Sequence, residues 1–412
     1  MSDPIKIDLS SKKKIGLVCS GGAAKAGAFH LGVALALQEK QFSFLGGTTH
    51  DEVKAHPDAQ KSRQISTYVG SSAGSIICSY LAAGYSLDNI FNSYLDRAPV
   101  SEFDMVPKVL PRLTYSKLFK FRAKILKEQI KQFSSLQKNI TNLIRGNFDA
   151  LFDLSWFRST GLFSTDGIEQ YLANEVLISN DFKDYHPDLF IVASRLDRPI
   201  KAVFGKTSNL KSAYDPSCEY LDCVPISKAA AASIALPPVF SPYALDCGQG
   251  EEFFIDGEIR DTLSSHVAID NGCDLVFSSY THQPYHFLPE YGTLNDHGLP
   301  AILVQSIYLM VEQKIMNWKR SHDRRKNAIL AVDRLCQDEG LETSLRKKII
   351  STLESELEHR LNVDIIYFHP NPEANEIYFK EHFNLNGEKM GEIVRYGFKS
   401  AISTLEKYEF IH

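Results

Sequence analysis

Long apolar runs are missing from this chain of 412 residues. The longest, residues 301–311, is broken by Gln305 and falls short of the ~18 to 20 residues a membrane-spanning helix requires. No transmembrane helix is expected. Lys12, Lys13 and Lys14 ahead of the apolar residues 15–18 imitate a signal peptide, yet Gly21, Gly22 and Lys25 cut that stretch short, so no cleaved leader is expected. Cysteine is unpatterned: the seven are an odd number, form no Cys-x-x-Cys and keep no finger-like spacing with histidine, which predicts reduced thiols and no metal site. Positive charge is not in excess. Lys plus Arg number 45 against 50 Asp plus Glu, a net charge of −5, which argues against a general nucleic-acid binder. Repeats, sustained heptads and low-complexity tracts are also missing.

What is present is enough to build a core. Hydrophobic residues make up 44% of the chain and aromatics 11%, which excludes collagenous, mucin-like and wholly disordered classes. At roughly 150 residues per domain the length fits two or three domains, or one large α/β domain with additions. Residues 15–19 are a short apolar run ending in Ser20, Gly21 and Gly22, followed by a helix-like segment at 28–41. This reads as strand, glycine loop and helix. The order recurs at 65–69, 70–74 and 75–83, with Gly84 placed as a helix C-cap. Further buried-strand candidates at 189–193, 202–204, 253–255, 275–279 and 365–368 are separated in several places by helix-like segments, favouring an α/β fold around a parallel or mixed sheet. Helical additions are expected at 108–145 and at about 303–361, the latter interrupted near Glu339 and Gly340.

Three segments carry chemistry. Gly70-Ser71-Ser72-Ala73-Gly74 fits Gly-x-Ser-x-Gly, the sharp turn that projects a nucleophilic serine between a strand and a helix. Side chains at the two glycines would hold strand and helix apart. Residues 20–27, poor in side chains and placed after a strand, can turn backbone N–H groups toward an anion. The phosphate-binding patterns Gly-x-x-x-x-Gly-Lys-Ser/Thr and Gly-x-Gly-x-x-Gly are not there. Asp256, after the strand-like run 253–255 and before Gly257, is a candidate base, although an Asp-Gly pair equally suits a turn.

Together these segments resemble the patatin-like phospholipases, which use a Ser-Asp dyad. Gly21-Gly22-Ala23-Ala24-Lys25 is similar to the family's oxyanion loop with its basic residue, residues 70–74 to its serine elbow, and Asp256-Gly257 to its Asp-Gly-Gly/Ala motif. Residues 224–225 and 231–240 resemble the segment before the aspartate, and 393–405 the closing helix. The sequence departs from the pattern at Ala23, at Ala26 with one extra residue before Gly27, and at Glu258, where a second Gly or an Ala is usual.

The resemblance implies a three-layer α/β fold, with a central mixed, mostly parallel sheet flanked by helices, plus helical additions. Residues 1–290 would form the core, with a basic helical insertion at about 104–160. Residues 291–412 would be a helical region packed on it, with a returning strand near 364–369 and a closing helix near 386–407. It also implies Ser72 as nucleophile, Asp256 as base, Gly21, Gly22, Ala23 and Lys25 as the oxyanion hole, and Gly70, Gly74 and Gly257 as backbone supports. The implied activity is that of a lipid acyl hydrolase, phospholipase A or lysophospholipase in type, acting on phospholipid or lysophospholipid with neither cofactor nor metal. Leaderless members of the family include cytosolic enzymes and exported bacterial toxins, some needing a host activator, so location and an activating protein partner stay open.

A carboxylate near its reference pKa of about 3.9 is a weak base. Burial that raises its proton affinity, with donors for the developing oxyanion, makes a dyad workable without imidazole. Two other readings stand beside it: a catalytically silent module that binds lipid or a protein, and a Ser-His-Asp hydrolase drawing on His266, His282 or His286. Acyl transfer to an acceptor other than water would use the same nucleophile. Residues 108–145 hold ten Lys or Arg and a single acid, Glu128. Lys117, Lys120, Lys124, Lys127 and Lys131 follow helical spacing opposite apolar residues, a pattern that suits peripheral contact with an anionic membrane or a helix packed on the core with its lysines in water.

Overall fold

The computed structural model describes residues 4–49, 61–97, 109–121, 161, 163–207, 210–248, 250–260, 262–371 and 384–411. The order across its main, ten-stranded sheet is β10 (Tyr243–Asp246), β11 (Glu251–Asp256), β7 (Asp188–Arg195), β4 (Gln64–Ser71), β2 (Ile15–Cys19), β12 (Leu275–Ser279) and β13 (Asp364–Phe368). β3 (Ser43–Phe44) pairs with β4, while β8 (Lys201–Phe204) pairs with β7 and β9 (Cys218–Leu221) with β8. The five strands from β7 to β13 in this order are parallel. β11 and β8 run antiparallel to β7, and β10 antiparallel to β11. A second, two-stranded sheet joins the chain ends through β1 (Ile5–Asp8) and β14 (Tyr408–Ile411).

Among the described residues the α-helices are α1 (Ala23–Glu39), α2 (Ala73–Ala83), α3 (Leu87–Leu95), α4 (Tyr115–Leu118), α5 (Asp166–Tyr171), α6 (Ile226–Ser233), α7 (Ser265–Asp270), α8 (Gly298–Asp338), α9 (Thr343–Glu356) and α10 (Gly387–Leu405). Strand side chains alternate between two apolar layers, as a pleated backbone requires. Leu17, Cys19, Ile191 and Phe277 pack with α1, α2 and α10, whereas Val18, Val192 and Val276 pack with α7. Both faces are covered, which is why the parallel strands read as largely apolar runs. Local signals set the helix ends. Gly84, with φ 91°, closes α2, and the Ser86 side chain accepts from Asn89 N–H to start α3. Gly340, with φ 67°, breaks the long C-terminal helical region between α8 and α9. Among the described residues no helix is long and apolar enough to cross a membrane.

Two expectations are corrected. The cysteines are not all reduced: Cys223 and Cys247 form a disulfide with Cα atoms 5.2 Å apart, while Cys19, Cys78, Cys218, Cys273 and Cys336 are buried thiols. A separation of 24 residues carries no signal in sequence; folding brings the loop after β9 to the turn between β10 and β11. The basic helical stripe is also interrupted. α4 ends at Leu118 because Phe119 turns inward, its ring 4.9 Å from Phe163 and 5.7 Å from Phe240. Lys120 then enters β5 (Lys120–Phe121), paired with β6 (Phe163–Ser164). Lys117 Nζ binds Glu175 at 2.6 Å, and Lys120 Nζ donates to Gln170 at 2.9 Å. Lys124, Lys127 and Lys131 lie outside the described residues, as does most of the expected insertion at 104–160.

Candidate active site

Strand register brings the three segments together. β2 and β4 are neighbours with Cys19 level with Gly70, so the chain leaves both strands at one edge of the sheet. On the other side of β4, Val192 of β7 is level with Ser71, and the next residue, Ala193, is level with Asp256 of β11. Ser72 and Asp256 therefore stand two strands apart at one height, although 184 positions separate them in sequence.

Ser72 has φ 50° and ψ −125°, a conformation unfavourable for a side-chain-bearing residue, at the junction of β4 and α2. Its N–H donates to Ser233 Oγ at 2.8 Å, and Ser233 donates in turn to Val192 O at 2.6 Å. These bonds hold the turn against its strain. A Cβ at Gly74 would collide with Cys19 O, and one at Gly70 would lie 2.5 Å from Ser75 Cα. The elbow closes because neither exists. Gly257 is under a similar constraint, since a side chain there would strike Val192 O.

The Ser72 side chain lies close enough to the Asp256 carboxyl to lower its pKa. Asp256 is 1% exposed and Ser72 6%. Burial pushes the Asp256 carboxyl up to about 6, opposed by the bonds from Ser72 and from the Glu258 N–H, the latter at 2.9 Å. The Asp256 N–H is held by Ala235 O at 3.0 Å. A carboxyl group is thereby fixed in place with its proton affinity raised.

The glycine loop lies against this pair. Gly22 has φ 129° and Ala23 φ 61°, and no side chain caps α1. Ala23 and Ala24 open the first turn of α1, where helix geometry offers an amide no carbonyl one turn earlier. Gly21 lies so close to Ser72 that a Cβ on it would stand 2.7 Å from Ser72 Cβ. Its N–H is already engaged, donating to Glu258 Oε1 at 2.8 Å. While that bond lasts, the Gly21 amide is not available to another anion. Lys25 is buried, its Nζ 5.6 Å from the Tyr308 ring centre, and burial lowers its pKa to about 7. His30 anchors the loop through Ser20 O at 2.8 Å and Ser279 Oγ at 2.7 Å; burial takes it to about 4.

The histidines considered for a triad have other neighbours. His266 Nε2 is 3.1 Å from Lys201 Nζ, and His286 is exposed. His282 lies beside the Tyr308 ring, its Nδ1 3.8 Å from Glu258 Oε2. Burial first, then the charges of Lys25 and His30, lower His282 to about 3. Sequence reasoning missed Ser233, the grip of Glu258 on Gly21, and Tyr308. Only Glu258 had a signal, its departure from Gly or Ala. Ser233 and Tyr308 act through contacts that no local pattern encodes.

No curated protein matches the chain. The family model described as patatin-like phospholipase matches residues 17–269, which include the glycine loop, Ser72 and Asp256 and make up more than half of the chain, and the protein belongs to this family of lipid acyl hydrolases.

Proposed function

We propose that the protein hydrolyses fatty-acyl esters of phospholipid or lysophospholipid, with Ser72 as nucleophile and Asp256 as general base. One observation carries this reading: strand register sets Ser72 beside a buried carboxyl, Asp256, whose pKa burial raises from 3.8 to about 6. A base with a pKa near working pH both accepts and returns a proton readily. The hydroxyl proton passes to Asp256 as Ser72 Oγ bonds to the ester carbonyl carbon and the C=O electron pair moves to oxygen. The amides of Gly22, Ala23 and Lys25, at the positive end of α1, supply donors for that oxygen. Collapse breaks the ester C–O bond, and the departing alcohol takes the proton from Asp256. Water then gives its proton to Asp256 and attacks the acyl-enzyme, and the proton returns to Ser72 as fatty acid leaves.

The substrate lies in a bilayer, so the enzyme works at a surface. Phe287, Ile302, Leu303, Ile307 and Met310 expose apolar side chains, four of them on the helix that carries Tyr308 over Lys25. Such a patch suits insertion into a lipid interface. Fatty-acid release from mixed-lipid vesicles tests the reading. Ser72→Ala and Asp256→Asn each lower it by roughly 10³-fold or more, and Ser72→Ala abolishes fluorophosphonate labelling. A wild-type chain that takes no label and releases no fatty acid, with or without cell extract, would instead be a silent lipid- or partner-binding module.

A further inference from the structure

A narrow cavity of about 40 Å³ opens beside the candidate active site. It starts at Ala73, the residue after Ser72, and at Ala24, in the first turn after the glycine loop. It then follows Ile76, Ile77 and Tyr80 on α2 and Gly27 on α1. Positions 73, 76, 77 and 80 share one face of a helix, and from first to last they cover ~10 Å. The slot therefore leads away from the nucleophile between α1 and α2 over two helical turns. Tyr94, Leu113, Leu385 and Met390 line it further on.

Its chemistry excludes a head group. The lining is mostly apolar, and its one charged residue, Arg112, is committed to Asp96 at 3.3 Å and to Leu385 O at 2.7 Å. The Tyr80 hydroxyl is paired with that of Tyr171 at 2.9 Å. Gly27 sets the width. A Cβ there would stand 3.2 Å from the Tyr94 hydroxyl and 3.7 Å from Ile77 Cδ1, filling the gap between the helices. What fits is flexible, apolar and unbranched.

Building on the hydrolase reading above, we propose that this slot holds the acyl chain of the ester presented to Ser72, and that Gly27 keeps it wide enough for a single hydrocarbon chain. Gly27 is then a specificity residue. It touches the chain rather than the reacting carbonyl, and its loss discriminates against long acyl groups.

Two measurements test this. The first is titration of dansyl-undecanoic acid into Ser72→Ala, alone and combined with Gly27→Leu; the added side chain is expected to weaken binding by roughly tenfold or more. The second is kcat/KM for p-nitrophenyl esters from acetate to palmitate. Gly27→Leu lowers the palmitate-to-acetate ratio by roughly tenfold, and Gly27→Ala, which adds one methyl, by a smaller factor in the same direction. If Gly27→Leu does not fold, as judged by circular dichroism, Gly27→Ala carries both tests. Unchanged fatty-acid binding and an unchanged ratio would overturn the proposal while leaving Ser72 as the nucleophile. If Ser72 takes no label and no ester is cleaved, the hydrolase reading fails, and the titration on Ser72→Ala alone still decides whether the slot takes a fatty chain.

Discussion

Asp256 and Asp215 both lose water on folding and finish on opposite sides of the ordinary carboxylate value. At Asp215 burial opposes ionisation, but Lys201 Nζ at 2.9 Å and the bonds from Ser217 outweigh it and hold the carboxyl well below its usual range. At Asp256 burial prevails, because among the described residues it is opposed by the Ser72 side chain and the Glu258 amide and by no cation. The difference teaches what a base in a cleft requires. An ion pair satisfies a buried charge and removes its affinity for a proton; a carboxylate denied a cation keeps that affinity at a cost in stability.

The largest break in this comparison is expected from neutralising each carboxylate in turn. Asp256→Asn, besides losing activity, gains about 1–3 kcal/mol of stability near neutral pH, since a buried charge disappears. Asp215→Asn does the reverse: it loses about 2 kcal/mol by removing the carboxylate partner of the buried Lys201, and turnover stays within about twofold. Urea unfolding followed by circular dichroism reads both. The same sign for the two substitutions would show that the contrast is not electrostatic.

A sharper distinction lies in pH. Asp256 rises from 3.8 to about 6 on folding, so it favours the folded chain fully below pH ~4 and loses that contribution as pH climbs through 6. Asp215, depressed on folding, contributes above pH ~4 and loses that contribution only as pH falls through its low folded value. The acidic limb of kcat/KM should accordingly rise through about pH 6 in the wild type, as Asp256 ionises. A flat profile from pH 5 to 8 would remove Asp256 from the role of base.

The smallest expected effect concerns Glu258, the neighbour whose N–H orients Asp256 and whose carboxylate holds the Gly21 amide. Glu258→Ala releases that donor for the oxyanion and raises the rate of fluorophosphonate labelling by about tenfold, part of what one such donor is worth. Slower labelling would mean that Glu258 supports the loop rather than occupying its amide.

Much of this architecture could be read in one dimension. Residues 15–19, 65–69, 189–193 and 275–279 announce buried parallel strands, because covering both faces favours apolar or small side chains along the whole strand. Gly70 and Gly74 announce the elbow, because close approach forbids a side chain. Short strands such as Ser43–Phe44 and Lys120–Phe121 did not register, since two residues carry no period. The basic stripe departs from helical spacing between Lys117 and Lys120 for a related reason: Phe119 packs with aromatic partners where α4 ends, while Lys124, Lys127 and Lys131 lie outside the described residues.

Alone, the sequence determined which residues could do chemistry and on what kind of turn each would sit, because strand, glycine and helix signals act over a few neighbouring residues. Tertiary structure decided the rest: that β7 stands between Ser72 and Asp256 with the register that lets them meet, that Asp256 is buried without a cation, and that Glu258 reaches Gly21. Those properties depend on strand order and desolvation. Both arise only when segments far apart in the chain are packed against one another.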